Sequence, residues 1–478
     1  MRNEKVFTPE WLVRLMLDQV PYKGERILSK HVIDNSCGNG AFLTQILKRY
    51  CSAYIEEFGH DDGLKTSIET YIHGNDVDDG CVEVTKAELD KVAEEFGVTN
   101  VTWDITVNDA LTYKAFDGKM DYVIGNPPYC NVHDLGERYS LVKTFDFCRD
   151  GMTDLYLAFF EVGLRMLSER GTLMYITPSS WTTSLAGKRL REWMMATRKV
   201  GDIITLGHEK VFKNANTYTI ITKIVNDYPK DFDTTLYRYN PSTVSFDYVA
   251  TRDIGLFNVD GTFHFDENVG LLRKVSDRHR KSVIVKNGFA TLNDKLFIIE
   301  KDSEWRHKLD IYDDNIILAY KLSQDDVCNL IVYPYDKYGW PLQWDDLSDK
   351  TREYLSYRIR QLHIDNKVKG QWWLYGRTQA IKDVWRWKCG INNLVRDNAD
   401  FKIQKLAKKV GMYGGYYVMP VYDFDSQRLI SALEKMASGE DKEFIPYIKA
   451  LGRYKNGGYY TFTTKEIEDY LNYRLDEE

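Results

Sequence analysis

Residues 31–50 read "HVIDNSCGNGAFLTQILKRY": a short apolar run, a turn holding two glycines, then apolar residues at helical spacing. A change of period across a glycine turn is the mark of a strand feeding a helix. The alternation continues outward. "TYIHGNDVD" (70–78) reads as a strand, and "EVTKAELDKVAEEFG" (83–97) as a helix closed by glycine. "MDYVIGNPPY" (120–129) is a strand, "DLYLAFFEVGLRMLSERG" (154–171) a helix and "TLMYITP" (172–178) a strand. "GKRLREWMMAT" (187–197) reads as a helix, with "GDIITLG" (201–207) and "TYTIITKIV" (217–225) as strands. Alternating strands and helices predict an α/β fold with a doubly wound, mainly parallel sheet. In such sheets ligands lie beyond the carboxyl ends of the strands, where strand order reverses. The glycine turn and "NPPY" both follow strand ends and should face one crevice.

The chain has 478 residues, which is more than one hydrophobic core usually serves. Texture changes after "NDYPKDFD" (226–233): aromatic and basic residues become dense and strand signals less regular. We place a boundary there, giving domains at 1–235 and 236–478, the second of mixed α+β character, with a further junction considered near 420–440. Hydrophobic residues make up 43% and charged residues 28%, the balance of a folded globular protein. The opening "MRNEKVFTPE" lacks the apolar core of a signal peptide, and no stretch is apolar for long enough to span a bilayer. Seven scattered cysteines without a CxxC pair argue for a reduced, cytoplasmic protein with no structural zinc.

Net charge is −7, yet residues 351–410 hold fourteen Lys/Arg against five Asp/Glu, while 51–110 hold fifteen acids and three bases. A basic segment on an acidic chain is the footprint of a polyanionic partner, or else a solvated helical face.

"DNSCGNG" (34–40) departs from G-x-G-x-x-G, since Ala41 and Phe42 follow the second glycine, and it lacks the Gly-Lys-Ser/Thr of a P-loop. An ordinary tight turn would look the same. Asp76 ends the next strand, where an acid suits ribose hydroxyls, although Asp78 and Asp79 behind it would serve as helix caps. Asp109 falls where a third strand should end. "NPPY" (126–129) is sharper, because two prolines fix an extended backbone and carry no N–H.

In chain order, "DNSCGNGAFL" (34–43), "NPPY" (126–129), "DLYLAFFEVGL" (154–164) and "ITPSSW" (176–181) resemble S-adenosylmethionine-dependent amino-methyltransferases. The match is to the gamma-ordered DNA adenine-N6 methyltransferases of type II restriction-modification systems. There a "FTPEWLV"-like segment comes first (here Phe7 to Val13) and a DNA target-recognition domain follows. "NGFATLNDKLFII" (287–299), "YPY" (333–335), "WWLYGRTQ" (372–379) and "GGYYVMP" (414–420) resemble that recognition region, so the likeness spans nearly the whole chain.

The resemblance implies a Rossmann-like catalytic domain, S-adenosylmethionine as cofactor and no metal. It implies that the Asn126 side-chain oxygen and the Pro127 carbonyl accept hydrogen bonds from an exocyclic amine, on a backbone stiffened by Pro128. Tyr129 would stack on the flipped base, and Phe212 is the candidate second wall. Thr8, Asp34, Cys37, Gly38, Gly40, Asp76, Val77, Asp109 and Asn126 would line the cofactor site. Asn35, Ser36 and Asn39 stand where the family more often has Pro, Ala and Ser, and Ala110 where a bulkier residue often packs on the cofactor adenine.

In the second domain, Arg377 and Gln379 could meet phosphates or base edges, and Lys402, Lys405, Lys408 and Lys409 are read as phosphate contacts. The expected partner is double-stranded DNA, with a separately encoded cognate restriction endonuclease, no membrane, and a monomeric chain acting near the bacterial nucleoid. Two other readings stay open. One is an amino-methyltransferase for an RNA base or another planar nitrogen. The other is a DNA-specificity module on a dead cofactor fold.

Overall fold

Glycine decides where the first helix of the turn begins. Gly40 stands at φ 83°, a left-handed torsion that side-chain-bearing residues avoid, and Ala41 opens the helix behind it. The computed structural model describes residues 8–131, 133–212, 217–227, 232–277, 279–322, 326–363, 370–422 and 426–477. Two compact units divide between Gly270 and Leu271.

The first unit contains strands β1 (Val32–Asp34), β2 (Ile72–Asp76), β3 (Asp104–Val107), β4 (Met120–Gly125) and β5 (Leu167–Pro178). β6 (Val200–Thr205), β7 (Thr219–Val225), β8 (Thr234–Asn240) and β9 (Ser245–Arg252) follow. The helices are α1 (Glu10–Gln19), α2 (Ala41–Phe58), α3 (Gly63–Tyr71), α4 (Asp79–Glu95), α5 (Tyr139–Val142), α6 (Leu155–Met166) and α7 (Lys188–Thr197).

The nine strands form one sheet in the order β3-β2-β1-β4-β5-β7-β6-β8-β9. β3, β2, β1, β4 and β5 run parallel, β7 lies antiparallel between β5 and β6, and β8 returns parallel to β6. The order therefore reverses between β1 and β4. Helices cover both faces. Leu12, Met16, Phe42, Ile46 and Val82 from one set of helices pack with Ile124, Met174, Ile176 and Ile221 of the strands. On the other face the Phe160 ring of α6 lies 5.7 Å from that of Tyr175. The fold class is α/β with a mainly parallel sheet, as expected.

Two boundaries differ from the sequence reading. The helix expected over 154–171 stops at Met166, because Leu167 turns extended (φ −63°, ψ 135°) and "LSERG" joins β5. The sheet also runs past 235: β8 registers against β6 and β9 against β8, so the compact unit extends to Gly270.

The second unit is mixed α+β. One antiparallel sheet joins Val283–Asn287, Tyr416–Pro420, Lys388–Ile391 and Ile403–Leu406. A second joins Ile298–Ile299, Val327–Val332, Ile316–Lys321 and Val410–Gly414. The considered junction near 420–440 does not form a third unit. Asn472 Oδ1, on the helix Thr464–Glu477, accepts the N–H groups of Ser282 (2.7 Å) and Val283 (3.0 Å). Glu468 takes the N–H of Val285 at 2.8 Å, so the helix satisfies the free edge of that strand. Among the described residues, no helix is long and apolar enough to cross a membrane.

Buried Arg191 of α7 fixes the segment after β5. Its guanidinium donates to the carbonyls of Trp181 (2.5 Å), Ser184 (2.8 Å) and Gly261 (2.8 Å). Arg191→Met strands these carbonyls, and we expect urea unfolding to report a loss of about 2–4 kcal/mol.

Candidate active site

β1 and β4 are adjacent, and their carboxyl ends carry the two sequence signatures. Gly125, the last residue of β4, allows the contact: a Cβ there would stand 2.6 Å from Asp34 Oδ1. The strand tips are further joined by Ser36 Oγ, which donates to the Asn126 carbonyl at 3.4 Å.

The glycine turn is held from below by the β2 tip. Cys37 N donates to Asn75 O (3.0 Å), and Gly38 N donates to Asp76 Oδ2 (2.9 Å). Thr85 Oγ1 of α4 donates to Gly38 O at 2.7 Å, a contact the sequence did not signal. Gly38 is at φ 51°, and open space surrounds the position a Cβ would take. Asp76 Oδ1 also accepts Asp78 N (3.0 Å), while Asp78 caps α4 by accepting Cys81 N at 3.2 Å. The cap and the strand-tip acid are thus different residues. Cys37 is buried, and burial pushes its thiol far up; Val77 is exposed.

Asp34 is 1% exposed. Burial raises its carboxyl to about 8, opposed by a hydrogen bond from Ser36 N (3.1 Å) and reinforced by the charge of Asp76. Asp109 is engaged on both oxygens: Oδ1 accepts Leu111 N (3.1 Å) and Oδ2 pairs with Arg138 at 2.9 Å. Nothing near Arg138 in the sequence advertised that pairing. Ala110 is buried.

Asn126 is held by its amide nitrogen, which donates to Thr8 Oγ1 at 3.2 Å across 118 positions of sequence. Its Oδ1 is buried and has no hydrogen-bond partner. Among the described residues no N–H donates to the Pro127 carbonyl either. Among the described residues neither acceptor therefore meets a donor, and the backbone between them is fixed by Pro127 and Pro128.

Tyr129 forms the next wall. Its hydroxyl donates to Ile176 O (3.3 Å), and burial raises it well above an ordinary phenol. Its ring lies 6.2 Å from Phe212 and 6.4 Å from Tyr156, edge-on to both. Tyr156 meets Ser180 Oγ at 3.1 Å, and Asp154 accepts Cys130 N at 2.9 Å, pinning the chain just past Tyr129. Residues of segments 154–164 and 176–181 thus meet around Tyr129.

The second unit treats its expected contacts unequally. Arg377 and Gln379 are exposed neighbours on one loop, with Arg377 N donating to Ala290 O (3.2 Å) and Gln379 Nε2 to Gly288 O (3.5 Å). Lys402 pairs with Asp326 (3.1 Å) and Lys405 with Glu434 (3.0 Å). Lys409 donates to the carbonyls of Ile311 (2.9 Å) and Asp313 (3.1 Å), whereas Lys408 is exposed. The lysine run does not act as a uniform set. In the first unit, a cavity of about 460 Å³ lined by His31, His73, Asp104 and Phe116 lies at the amino ends of the strands, the opposite ends from the glycine turn and "NPPY". Among the described residues no cluster of His, Cys, Asp and Glu could hold a metal ion.

Residues 42–212 match the family model of the Eco57I restriction-modification methylase. The type II methyltransferase M.BstVI of Geobacillus stearothermophilus is 28% identical over 237 residues, 46% of this chain and 42% of that protein. The type II restriction enzyme and methyltransferase RM.Eco57I of Escherichia coli is 23% identical over 379 residues, 69% of this chain and 36% of that one. M.AccI of Acinetobacter calcoaceticus is 32% identical over 202 residues, 41% of this chain and 33% of its own length. The matches thus span less than half of these relatives. Among solved structures, the restriction-modification enzyme MmeI in complex with DNA superposes with TM-score 0.60 and 12% identity, covering 95% of this chain and 64% of that one. The resemblance read from the motifs, to restriction-modification DNA methyltransferases, is upheld.

Asp34 yields a pH test. Its folded pKa lies above the unfolded value, so the folded chain keeps a proton that the unfolded chain releases, and stability falls as pH rises from about 4 to about 8. Asp34→Asn keeps the acceptor for Ser36 N and has no charge to bury. Its melting temperature, compared with the parent without cofactor, should gain an advantage that widens from about pH 5 to about pH 9.

Proposed function

We propose that this chain, with its Eco57I-type restriction-modification methylase domain, transfers a methyl group from S-adenosylmethionine to the N6 amine of an adenine flipped out of duplex DNA. The observation carrying this reading is the donor-free pair at the end of β4: the buried, unpartnered Asn126 Oδ1 and the Pro127 carbonyl. An amine attached to an aromatic ring is a weak nucleophile, because its lone pair is delocalised into the ring. Two acceptors facing its two hydrogens draw the nitrogen toward a pyramidal shape. Their attraction grows as positive charge develops on nitrogen, which is where stabilisation speeds a reaction.

Gly38 leaves open space, Asp76 keeps lone pairs beyond its two backbone donors, and Asn126 Oδ1 is unmet, so these residues fit an adenosyl-sulfonium group beside them. When bound, S-adenosylmethionine supplies the electrophilic methyl group. Asp76 would hold the ribose hydroxyls. Asp109 would reach the cofactor adenine amine through lone pairs left over from Arg138 and Leu111 N. Tyr129 would stack on the target base, with Phe212 backing its ring edge-on. A base inside a duplex cannot reach a wall so deeply set, so it must leave the stack. An amide at 126, rather than a hydroxyl, favours adenine over cytosine in this family. The glycine turn preceding "NPPY", with the second unit following both, supports the gamma order. Duplex DNA is then the partner, with a separately encoded endonuclease, a monomeric chain and a cytoplasmic location completing the proposal.

Sequencing plasmid DNA from cells expressing the chain should reveal N6-methyladenine at one recurring sequence; unmodified plasmid beside methylated RNA would favour the RNA enzyme instead. Asn126→Ala should retain S-adenosylmethionine binding by calorimetry while transfer falls about 10²- to 10³-fold. Thr8→Val frees the Asn126 amide to rotate. It should lower the turnover rate about tenfold with little change in duplex affinity, and unaltered turnover would contradict the positioning assigned to Thr8.

A further inference from the structure

Three polar side chains form a chain at the amino ends of the sheet, opposite the candidate active site. His31 directly precedes β1, His73 lies in β2 and Asp104 opens β3, and β2 runs between the other two strands. His73 Nδ1 stands 2.6 Å from Asp104 Oδ2, and His73 Nε2 stands 2.9 Å from His31 Nδ1. His73 is buried, while His31 and Asp104 are half-buried.

The chemistry of the three groups fixes where the hydrogens lie. An ionised carboxylate only accepts, so His73 Nδ1 carries the proton between Asp104 and His73. In the neutral chain His73 Nε2 then accepts from His31 Nδ1–H, which leaves His31 Nε2 a bare acceptor. One added proton turns His31 Nε2 into a donor whichever ring holds the charge, because the hydrogen between the rings can shift from one nitrogen to the other. The Asp104 charge at the far end offsets that added proton. Among the described residues no group bonds to His31 Nε2.

The chain borders the cavity of about 460 Å³, within the range of about 300–1,000 Å³ that small-molecule sites occupy. Tyr113, Phe116 and Met120 give it an apolar wall, the Phe116 ring lying 5.5 Å from that of His73 and 5.7 Å from that of Tyr113. Lys119 also lines it; Nζ donates one hydrogen to Ala115 O at 2.8 Å and keeps two. The other charges around His31 cancel: its N–H donates to Asp121 Oδ2 (3.0 Å), and Asp121 pairs with Lys30 (3.3 Å). The edge-on Tyr71 ring, 5.0 Å away, completes the surroundings. Burial, together with His73, Lys119 and Lys30, lowers the proton affinity of His31 against the opposing pull of Asp121, so the empty chain is neutral at pH 7. A purely structural strap across three strands accounts for the two hydrogen bonds. It accounts neither for the open nitrogen nor for the cavity beside it.

We propose that this cavity is a second binding site, for a small anion carrying a planar ring, and that it takes up one proton with its ligand. The ring lies against Tyr113 and Phe116. The anionic group, a carboxylate or a phosphate monoester, sits between Lys119 Nζ and the protonated Nε2 of His31. Before binding, Asp104 and Lys119 offset each other. An entering anion tips that balance and draws a proton onto the histidine chain, which then donates to it. The site lies at the opposite strand ends from the cofactor crevice and does not depend on the methyl-transfer reading.

Calorimetry of the full chain with benzoate and with phenyl phosphate, at about pH 7.5 in buffers of different ionisation enthalpy, counts the protons that accompany binding. Benzoate stays ionised throughout, so uptake approaching one proton reports the histidine chain. Binding by one probe alone supports the site and names its anion class. His31→Asn keeps a side-chain N–H for His73 but cannot ionise. It should abolish the uptake and weaken binding about tenfold, with a melting temperature near the parent's. Lys119→Gln should weaken binding to a similar degree and retain the uptake. Titrations repeated in saturating S-adenosylmethionine should give the same affinity; competition assigns the anion to the cofactor crevice and overturns the proposal. Failure of both probes to bind, binding without proton uptake, or binding that both variants leave unchanged also overturns it.

Discussion

The tips of β1 and β4 meet because residue 125 has no side chain, leaving the Asp34 carboxyl in the space a Cβ would fill. The junction of the two sequence signatures follows from that approach. It brings the glycine turn after β1 beside the prolines after β4, lets Ser36 reach the Asn126 carbonyl, and buries an acid under both. The reversal of strand order at this point leaves a crevice above the tips, since the following connections depart to opposite sides. A larger residue at 125 would separate two halves of a single pocket.

The site keeps groups that folding alone would remove. A buried amide oxygen without a donor costs about 1–3 kcal/mol. Asn126 Oδ1 nevertheless remains unmet, while the other end of the same amide is fastened to Thr8. Asp34 holds a carboxyl whose ionisation burial opposes. Such departures are tolerated where function requires them, because the surrounding packing fixes them in place.

In the second unit some charges are neutralised internally. Asp383, directly after Lys382, accepts Lys286 (2.7 Å) and the Tyr417 hydroxyl (2.8 Å), and these contacts hold its carboxyl below the ordinary range. Lys388 is buried, donates to the carbonyls of Asp383 (2.7 Å) and Arg386 (3.1 Å), and is pulled down to about 8 by desolvation. The described cations of 351–410 are thus of several kinds. Lys388 is buried and structural, Lys402 and Lys405 pair with acids, and Arg377 and Lys408 are exposed.

Local chemistry made half of the site legible in the amino-acid sequence. Glycines at 38 and 40, the double proline at 127–128 and the period change between strand and helix act within a few residues, so their composition dictates their conformation. The α/β class and the places of Asp76 and Asn126 at strand ends followed from them. Arg138 on Asp109, Thr8 on Asn126, Asp154 behind Cys130 and the seat of Lys409 on the 311–313 carbonyls could not be read in advance. Each depends on partners tens of residues away, brought together by strand order. The same holds for the sheet's extension through β8 and β9, whose pairing is a long-range choice that local pattern does not encode. The sequence by itself determined the backbone conformations and chemical types at the strand tips. Only the tertiary structure decided which polar atoms were already satisfied and which were left free to meet a ligand, because a hydrogen bond belongs to two residues and sequence describes them one at a time.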